Sequence, residues 1–169
     1  MKIAVAGTGY VGLVTGVALA HIGHNVTCVD VDEEKIKVMK SGKSPIYEQE
    51  LEELMNEDKE RLTYTTDYKM AYKDADVIFI GVGTPERIDG SANLDYVKTV
   101  VRQIAETVEK DVVVVVKSTV PIGTNDKVEE YLKKNVKKGL KVYVASNPEF
   151  LAQGTAVRDT LYASRIVVG

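Results

Sequence analysis

The chain has 169 residues, 44% of them hydrophobic, which is the length and apolar content of one compact domain. Its formal net charge is −3, with 22 basic residues among 25 acidic ones, so the composition argues against a basic surface for nucleic acid or an anionic membrane. A single cysteine excludes an internal disulfide framework, and no Cys/His cluster has the spacing of a metal site.

The amino terminus leads directly into a short apolar run at residues 3–6. This run is too short for the apolar core of a secretory leader, and no later stretch approaches the length of a membrane span. We therefore expect a cytoplasmic protein whose partner is a small molecule.

Short apolar runs rich in β-branched residues alternate along the chain with stretches of helical periodicity. Five runs are predicted to be buried parallel strands, at 3–6, 26–29, 77–82, 112–116 and 142–145, and two further short runs at 62–65 and 165–168 predict additional strands. Three helical faces are predicted between them: Val11, Val14, Ala18 and Ile22; Leu94, Val97, Val101, Ile104 and Val108; and Val128 with Leu132. This alternation predicts an α/β fold, a doubly wound Rossmann-type parallel sheet with helices on both faces.

Residues 40–61 depart from the alternation, because a Ser-Gly-Lys-Ser-Pro stretch precedes a charged helix predicted at Glu48–Glu57. We interpret this region as a loop and helix inserted before the third strand. No repeat or linker divides the chain, so residues 1–169 are predicted to form one domain.

Three glycines follow the first strand in the stretch GTGYVG, residues 7–12. Gly7 permits a tight turn, Gly9 lets the backbone approach a diphosphate, and Gly12 allows close packing of helix on strand. The next helix, predicted to begin near Tyr10, directs its free N–H groups and the positive end of its dipole at the same place. The stretch therefore predicts a dinucleotide site.

Asp30 ends the second strand, 18 positions after Gly12, where roughly 20 is typical of dinucleotide-binding units. Its carboxylate can accept hydrogen bonds from both hydroxyls of the adenosine ribose, and it would repel a 2′-phosphate. NAD is therefore expected rather than NADP. Lys35 follows in a charged stretch, where a ribose contact and a solvated helix charge are equally compatible with the pattern.

Polar segments follow three later strands: GVGTP at 81–85, KSTVP at 117–121 and SNPEFL at 146–151. Open α/β sheets bind ligands at the carboxyl ends of their strands, so hydroxyls there can contact ribose or nicotinamide. Ser118 and Thr119 could instead cap the next helix. Glu149 is a candidate general acid or base, with stabilisation of a helix N-terminus as the alternative.

In six blocks the sequence resembles the UDP-glucose/GDP-mannose dehydrogenase family: GTGYVGL, VDVDEEKI, SPIYE, GVGTP, KSTVPIGT and NPEFLAQGTAVRD, in family order. The resemblance implies oxidation of the C6 alcohol of a nucleotide sugar to a carboxylate, by two hydride transfers to NAD through a thioester on a cysteine. Cys28 lies in the second strand and is expected to be a core residue rather than that cysteine. The chain resembles the family's N-terminal NAD domain, so we expect the cysteine, a central dimerisation region and a sugar-nucleotide domain in the rest of a homodimeric protein.

The resemblance also implies roles for individual residues. Those implied to contact the cofactor are Gly7, Gly9, Tyr10, Val11 and Gly12 at the turn, Asp30 and Lys35 at the ribose, and Thr84, Pro85, Ser118 and Thr119 farther along. Thr119 would also place a catalytic water, and Glu149 would be the general base of thioester hydrolysis. Phe150 and Leu151 would present backbone to the substrate.

The sequence departs from the family pattern in three places. Gln153 replaces a second glutamate, and its amide can still bind the cofactor but cannot ionise. The family's YEPGL is Tyr47 to Leu51 here without the Pro-Gly pair, so the helix is expected to begin earlier. Ala163 and Ser164 stand where the family has a proline before its last strand.

UDP-glucose is the substrate that the resemblance favours, with GDP-mannose and UDP-N-acetylmannosamine as alternatives. Two other classes share the glycine turn and Asp30: an NAD-sensing regulatory module without catalysis, and two-domain dehydrogenases of the 6-phosphogluconate or hydroxyacyl-CoA type. Neither class has a use for the KSTVP and NPEF segments, which favours the nucleotide-sugar dehydrogenase.

Overall fold

The computed structural model describes residues 1–169, and its centre is a sheet of six parallel strands in the order β3-β2-β1-β4-β5-β6. The strands are β1 (Lys2–Ala6), β2 (Asn25–Val29), β3 (Leu62–Thr65), β4 (Val77–Ile80), β5 (Val112–Val116) and β6 (Val142–Ser146). The helices are α1 (Tyr10–His21), α2 (Glu33–Lys40), α3 (Leu51–Glu57), α4 (Tyr68–Tyr72), α5 (Asp95–Thr107), α6 (Thr124–Asn135) and α7 (Ala156–Leu161), with a 3₁₀ turn at Lys59–Arg61.

This strand order confirms the predicted doubly wound Rossmann-type fold. The chain proceeds outward from β1 through β2 to β3, then returns to the other side of β1 as β4. The order of strands therefore reverses between β1 and β4, and in open α/β sheets ligands bind in the crevice at the carboxyl ends of such a pair.

Two apolar cores lie on opposite faces of the sheet, because successive side chains of a strand point to opposite sides. Ile3 and Val5 of β1 join one core with α1 and α3, whereas Ala4 and Ala6 join the other with α5 and α6. Each core excludes water from one face of the central strands, which holds the strand ends in register for a ligand site.

Most of the predicted helical faces are buried. Val97, Val101, Ile104 and Val108 are all 4% exposed or less, as the period of α5 predicted. Ile22 was predicted on the buried face of α1, but it follows the last helical residue, His21, and is 61% exposed. That prediction is wrong because α1 ends at His21, so Ile22 no longer follows the helical period that would turn it inward.

The inserted helix begins at Leu51, so the prediction that it starts at Glu48 is wrong. Glu50 adopts a left-handed conformation with φ of 63°, which reverses the chain immediately before α3. Glu48 lies before this reversal and turns inward, with 7% of its surface exposed. Burial of its carboxylate against a distant loop replaces the helical turn that the sequence predicted.

Residues 165–168 do not form the predicted final strand. Only Gly169 pairs with β6, through two backbone hydrogen bonds with Ser146 of 2.7 and 2.9 Å. Ile166 and Val168 stay 75% and 67% exposed, since no core lies beneath them.

None of the helices combines the length and apolarity needed to cross a membrane.

Candidate cofactor and catalytic site

The glycine turn between β1 and α1 is packed closely on the sheet. Gly7 has φ of 92°, and a Cβ there would lie 2.9 Å from the carbonyl oxygen of Gly81. A Cβ at Gly12 would overlap the carbonyl oxygen of Gly7. At Gly9, in contrast, a Cβ would meet no protein atom within 4 Å. Gly7 and Gly12 therefore pack against protein backbone, whereas Gly9 faces open space. This space lies beside the N-terminus of α1, where a diphosphate fits.

Asp30 is fixed at the end of β2 by hydrogen bonds to both of its carboxylate oxygens. Oδ2 accepts the backbone N–H of Thr8 at 2.8 Å and the Thr8 hydroxyl at 2.6 Å, and Oδ1 accepts the N–H of Asp32 at 3.1 Å. Burial opposes ionisation of this carboxyl, but the Thr8 and Asp32 hydrogen bonds and the charge of Lys35 outweigh it and lower the pKa of Asp30. Asp30 is consequently an anion at neutral pH.

A cavity of about 300 Å³ opens between the glycine turn, Asp30 and helix α5. Gly7, Gly9, Asp30 and Lys35, all predicted cofactor contacts, line it together. Three lining residues of α5 that the sequence analysis missed are Tyr96, Thr99 and Gln103. They are separated from Asp30 by at least 66 positions, and no local motif marks them.

Lys35 lines this cavity from the first turn of helix α2, which Asp32 caps. The Asp32 carboxylate accepts the N–H groups of Glu34 and Lys35, at 3.0 and 3.1 Å, as an N-cap. Lys35 is half-buried beside Asp30 rather than fully solvated.

The segments that follow β4 and β5 are tied to one another. The Ser118 hydroxyl donates to the carbonyl of Val82 at 2.7 Å, and the Thr84 hydroxyl donates to the carbonyl of Thr119 at 2.9 Å. Helix α6 begins only at Thr124, with Gly123 as its N-cap, so the alternative that Ser118 and Thr119 cap this helix is wrong. Pro85 and Thr119 are exposed, and neither lines the 300 Å³ cavity.

A second cavity, of about 320 Å³, lies at the ends of β5 and β6 against α1 and α7, and Glu149, Phe150 and Leu151 line it. Glu149 precedes α7 by seven positions, so the alternative of a helix-capping role is wrong. Its Oε2 atom is buried without a hydrogen-bond partner. A buried, unpartnered carboxylate oxygen is costly in a purely structural role, and it is free to accept a proton.

Two cations line the same cavity. Lys117 donates to Asn147 Oδ1 at 3.0 Å, and the Arg165 guanidinium lies 4.4 Å from the centre of the Phe150 ring. Burial lowers the pKa of Lys117, and the nearby charge of Glu149 partly opposes this effect. Lys117 belongs to the KSTVP segment and Arg165 begins the apolar run at 165–168, and neither pattern predicted a role for them.

Gln153 is exposed and lines neither cavity. The N–H of the next residue, Gly154, donates to the hydroxyl of Tyr10 at 2.9 Å and to the carboxylate of Glu48 at 2.8 Å. Tyr10, the first residue of α1, therefore contacts the loop that carries Gln153, and Val11 follows Tyr10 in the helix.

The sequence profile of the UDP-glucose/GDP-mannose dehydrogenase family, NAD binding domain, matches residues 1–169. UDP-glucose 6-dehydrogenase YwqF of Bacillus subtilis is 50% identical over 171 residues, and UDP-glucose 6-dehydrogenase of Rhizobium meliloti is 48% identical over 172. Each alignment covers 100% of this chain and 39% of the relative, so the chain spans about two fifths of the length of these curated relatives.

Solved structures with this fold include other members of the family. A UDP-glucose dehydrogenase from Pyrobaculum islandicum superposes with a TM-score of 0.92 at 38% identity, over 99% of this chain and 40% of that one. A GDP-mannose dehydrogenase from Pseudomonas aeruginosa gives 0.93 at 41% identity, over 100% of this chain and 41% of that one. The chain belongs to the UDP-glucose/GDP-mannose dehydrogenase family and corresponds to its NAD-binding domain.

Proposed function

We propose that this chain is the NAD-binding domain of an enzyme that oxidises the C6 alcohol of UDP-glucose to the carboxylate of UDP-glucuronate, with two NAD. Two cavities at one edge of the sheet carry the proposal. One is nucleotide-sized and lies at Asp30, and the other holds the unpartnered Oε2 of Glu149. Relatives of 50% and 48% identity are named UDP-glucose 6-dehydrogenases, which supports UDP-glucose. Structures of a GDP-mannose and a UDP-N-acetylmannosamine dehydrogenase are 41% and 31% identical, which makes these sugars the alternatives.

At the adenosine end, Asp30 and Lys35 hold the ribose in this proposal. A carboxylate has about four acceptor positions. Thr8 and Asp32 occupy three of those on Asp30, so one ribose hydroxyl is accommodated without rearrangement. The diphosphate lies at Gly9, Tyr10 and Val11, with Gly7 and Gly12 giving the turn its shape. NAD, when bound, supplies the hydride acceptor.

The reacting end of the cofactor is contacted by residues that follow β4, β5 and β6: Thr84, Pro85, Ser118, Thr119 and Gln153. Glu149 is the general base, and its free Oε2 takes the proton from a water that Thr119 helps to place. Lys117 lines the same cavity, where the charge of Glu149 favours the ammonium form of Lys117 against the cost of burial. Phe150 and Leu151 offer backbone groups to the sugar nucleotide.

The catalytic cysteine belongs, in this proposal, to a part of the protein outside these 169 residues. Cys28 is fully buried, and desolvation raises the pKa of its thiol to about 12, so it supplies no thiolate. The central dimerisation region, the sugar-nucleotide domain, the homodimer and the cytoplasmic location stay predictions.

A purely NAD-sensing module would have no need of the second cavity. Lys117 and Glu149 are costly to bury, and neither lines the nucleotide cavity, which favours a catalytic function over sensing. Dehydrogenases of the 6-phosphogluconate and hydroxyacyl-CoA types share the opening turn but lack the later segments.

The proposal is tested with the protein encoded by the complete reading frame that contains this chain. NADH formation is measured with UDP-glucose, GDP-mannose and UDP-N-acetylmannosamine. We expect the highest kcat/KM with UDP-glucose, a large loss of kcat in Glu149→Gln, and no turnover by residues 1–169 alone. A higher kcat/KM with either other sugar nucleotide, or turnover by residues 1–169 alone, would contradict it.

A further inference from the structure

Glu48 is a buried acid with no cationic partner. Its side chain is 7% exposed, and it forms no ion pair. Oε1 accepts the N–H of Ala156 and Oε2 accepts the N–H of Gly154, both at 2.8 Å. Burying a carboxylate is expensive unless hydrogen bonds replace its hydration, and these two N–H groups do so with both oxygens.

The Gly154 N–H is shared with the cofactor turn. It also donates to the Tyr10 hydroxyl at 2.9 Å, and Tyr10 is the residue immediately after Gly9. Three segments far apart in the chain therefore meet at one N–H group: the insertion that carries Glu48, the loop before α7, and the start of α1.

We propose that Glu48 is a positioning residue that fixes the 150–155 loop against the glycine turn and thereby raises the affinity for the diphosphate and nicotinamide portion of NAD. Gln153 of this loop contacts the cofactor in the proposed function, on which the inference rests. Holding the loop in place before binding removes an ordering cost that NAD would otherwise meet. AMP reaches only the adenosine end, at Asp30 and Lys35, and gains nothing from the loop.

The test compares Glu48→Ala and Glu48→Gln with Glu53→Gln, which changes an exposed glutamate of the adjacent helix α3 and serves as the matched control. NAD and AMP affinities are measured by titration calorimetry on residues 1–169, and amide hydrogen exchange is followed at Gly154. We expect Glu48→Ala to weaken NAD binding about tenfold while AMP binding changes by less than about twofold. Glu48→Gln keeps one acceptor oxygen, so its NAD affinity should lie between those of Glu48→Ala and the unchanged chain, and Gly154 exchange should be faster in both variants.

Equal losses of NAD and AMP affinity, or unchanged NAD affinity in a folded Glu48→Gln variant, would overturn the inference while leaving the proposed function intact. Failure of the unchanged chain to bind NAD would contradict the proposed function, and this inference with it. If Glu48→Ala does not fold, Glu48→Gln alone decides between these outcomes.

Discussion

The carboxylate of Asp30 accepts both the N–H and the hydroxyl of Thr8, at 2.8 and 2.6 Å, and Thr8 is completely buried. Thr8 stands between the first two glycines of the turn, so this pair of hydrogen bonds joins the diphosphate site to the ribose site. The turn and the acid are therefore one rigid unit rather than two independent contacts.

Thr8→Val removes the hydroxyl and keeps the shape of the side chain. Because the lost bond involves an ionised but half-exposed carboxylate, we expect unfolding at neutral pH to become easier by about 1 kcal/mol. The pKa of Asp30 is lowered in the folded chain, so this stabilisation is present above the unfolded pKa and is lost as pH falls through the folded pKa. The difference in free energy of unfolding between Thr8→Val and the unchanged chain, measured with urea, should therefore become smaller as the pH is lowered from 7.

Thr63→Val, at an exposed position of β3, is the control and should show no pH-dependent difference. A loss of unfolding free energy in Thr8→Val that is constant with pH, or that grows in acid, would contradict the assigned role of the Asp30 carboxylate.

Gly9 and Gly12 should respond differently to alanine. Gly12→Ala places a Cβ on the Gly7 carbonyl oxygen, so we expect a loss of stability of about 1–3 kcal/mol. Gly9→Ala points into open space and replaces an N-cap glycine, so it should cost less than about 1 kcal/mol of stability yet weaken NAD binding about tenfold. Thermal unfolding and calorimetry separate the two effects, and a stable Gly9→Ala chain that binds NAD normally would rule out a diphosphate at this turn.

Features set by local spacing could be predicted from the sequence. The glycines and Asp30 belong to one strand-turn-helix-strand unit, so their separation along the chain fixes their separation in space. The doubly wound parallel sheet followed from the alternation of apolar runs with helical periods, because parallel strands need helical crossovers between them. These features account for the part of the nucleotide cavity at the glycine turn and Asp30, but not for its walls at α4 and α5.

Contacts between distant segments could not be predicted in this way. Glu48 meets Gly154 across 106 positions, and the inserted helix begins only after this buried residue, at Leu51. The final apolar run has the composition of a strand, but only Gly169 meets β6. Composition records that a segment is apolar and not whether a partner strand lies beside it.

We expect Asp30, held by Thr8, to make this site selective for NAD over NADP. Titration calorimetry of NAD and NADP with the unchanged chain, Asp30→Ala and the remote exposed control Asp126→Ala tests it most directly. We expect the unchanged chain and Asp126→Ala to prefer NAD, and Asp30→Ala to reduce that preference about tenfold, because the 2′-phosphate no longer meets a carboxylate. Affinities for NAD and NADP that fall by the same factor in Asp30→Ala, or an unchanged chain that binds NADP as tightly as NAD, would contradict the account.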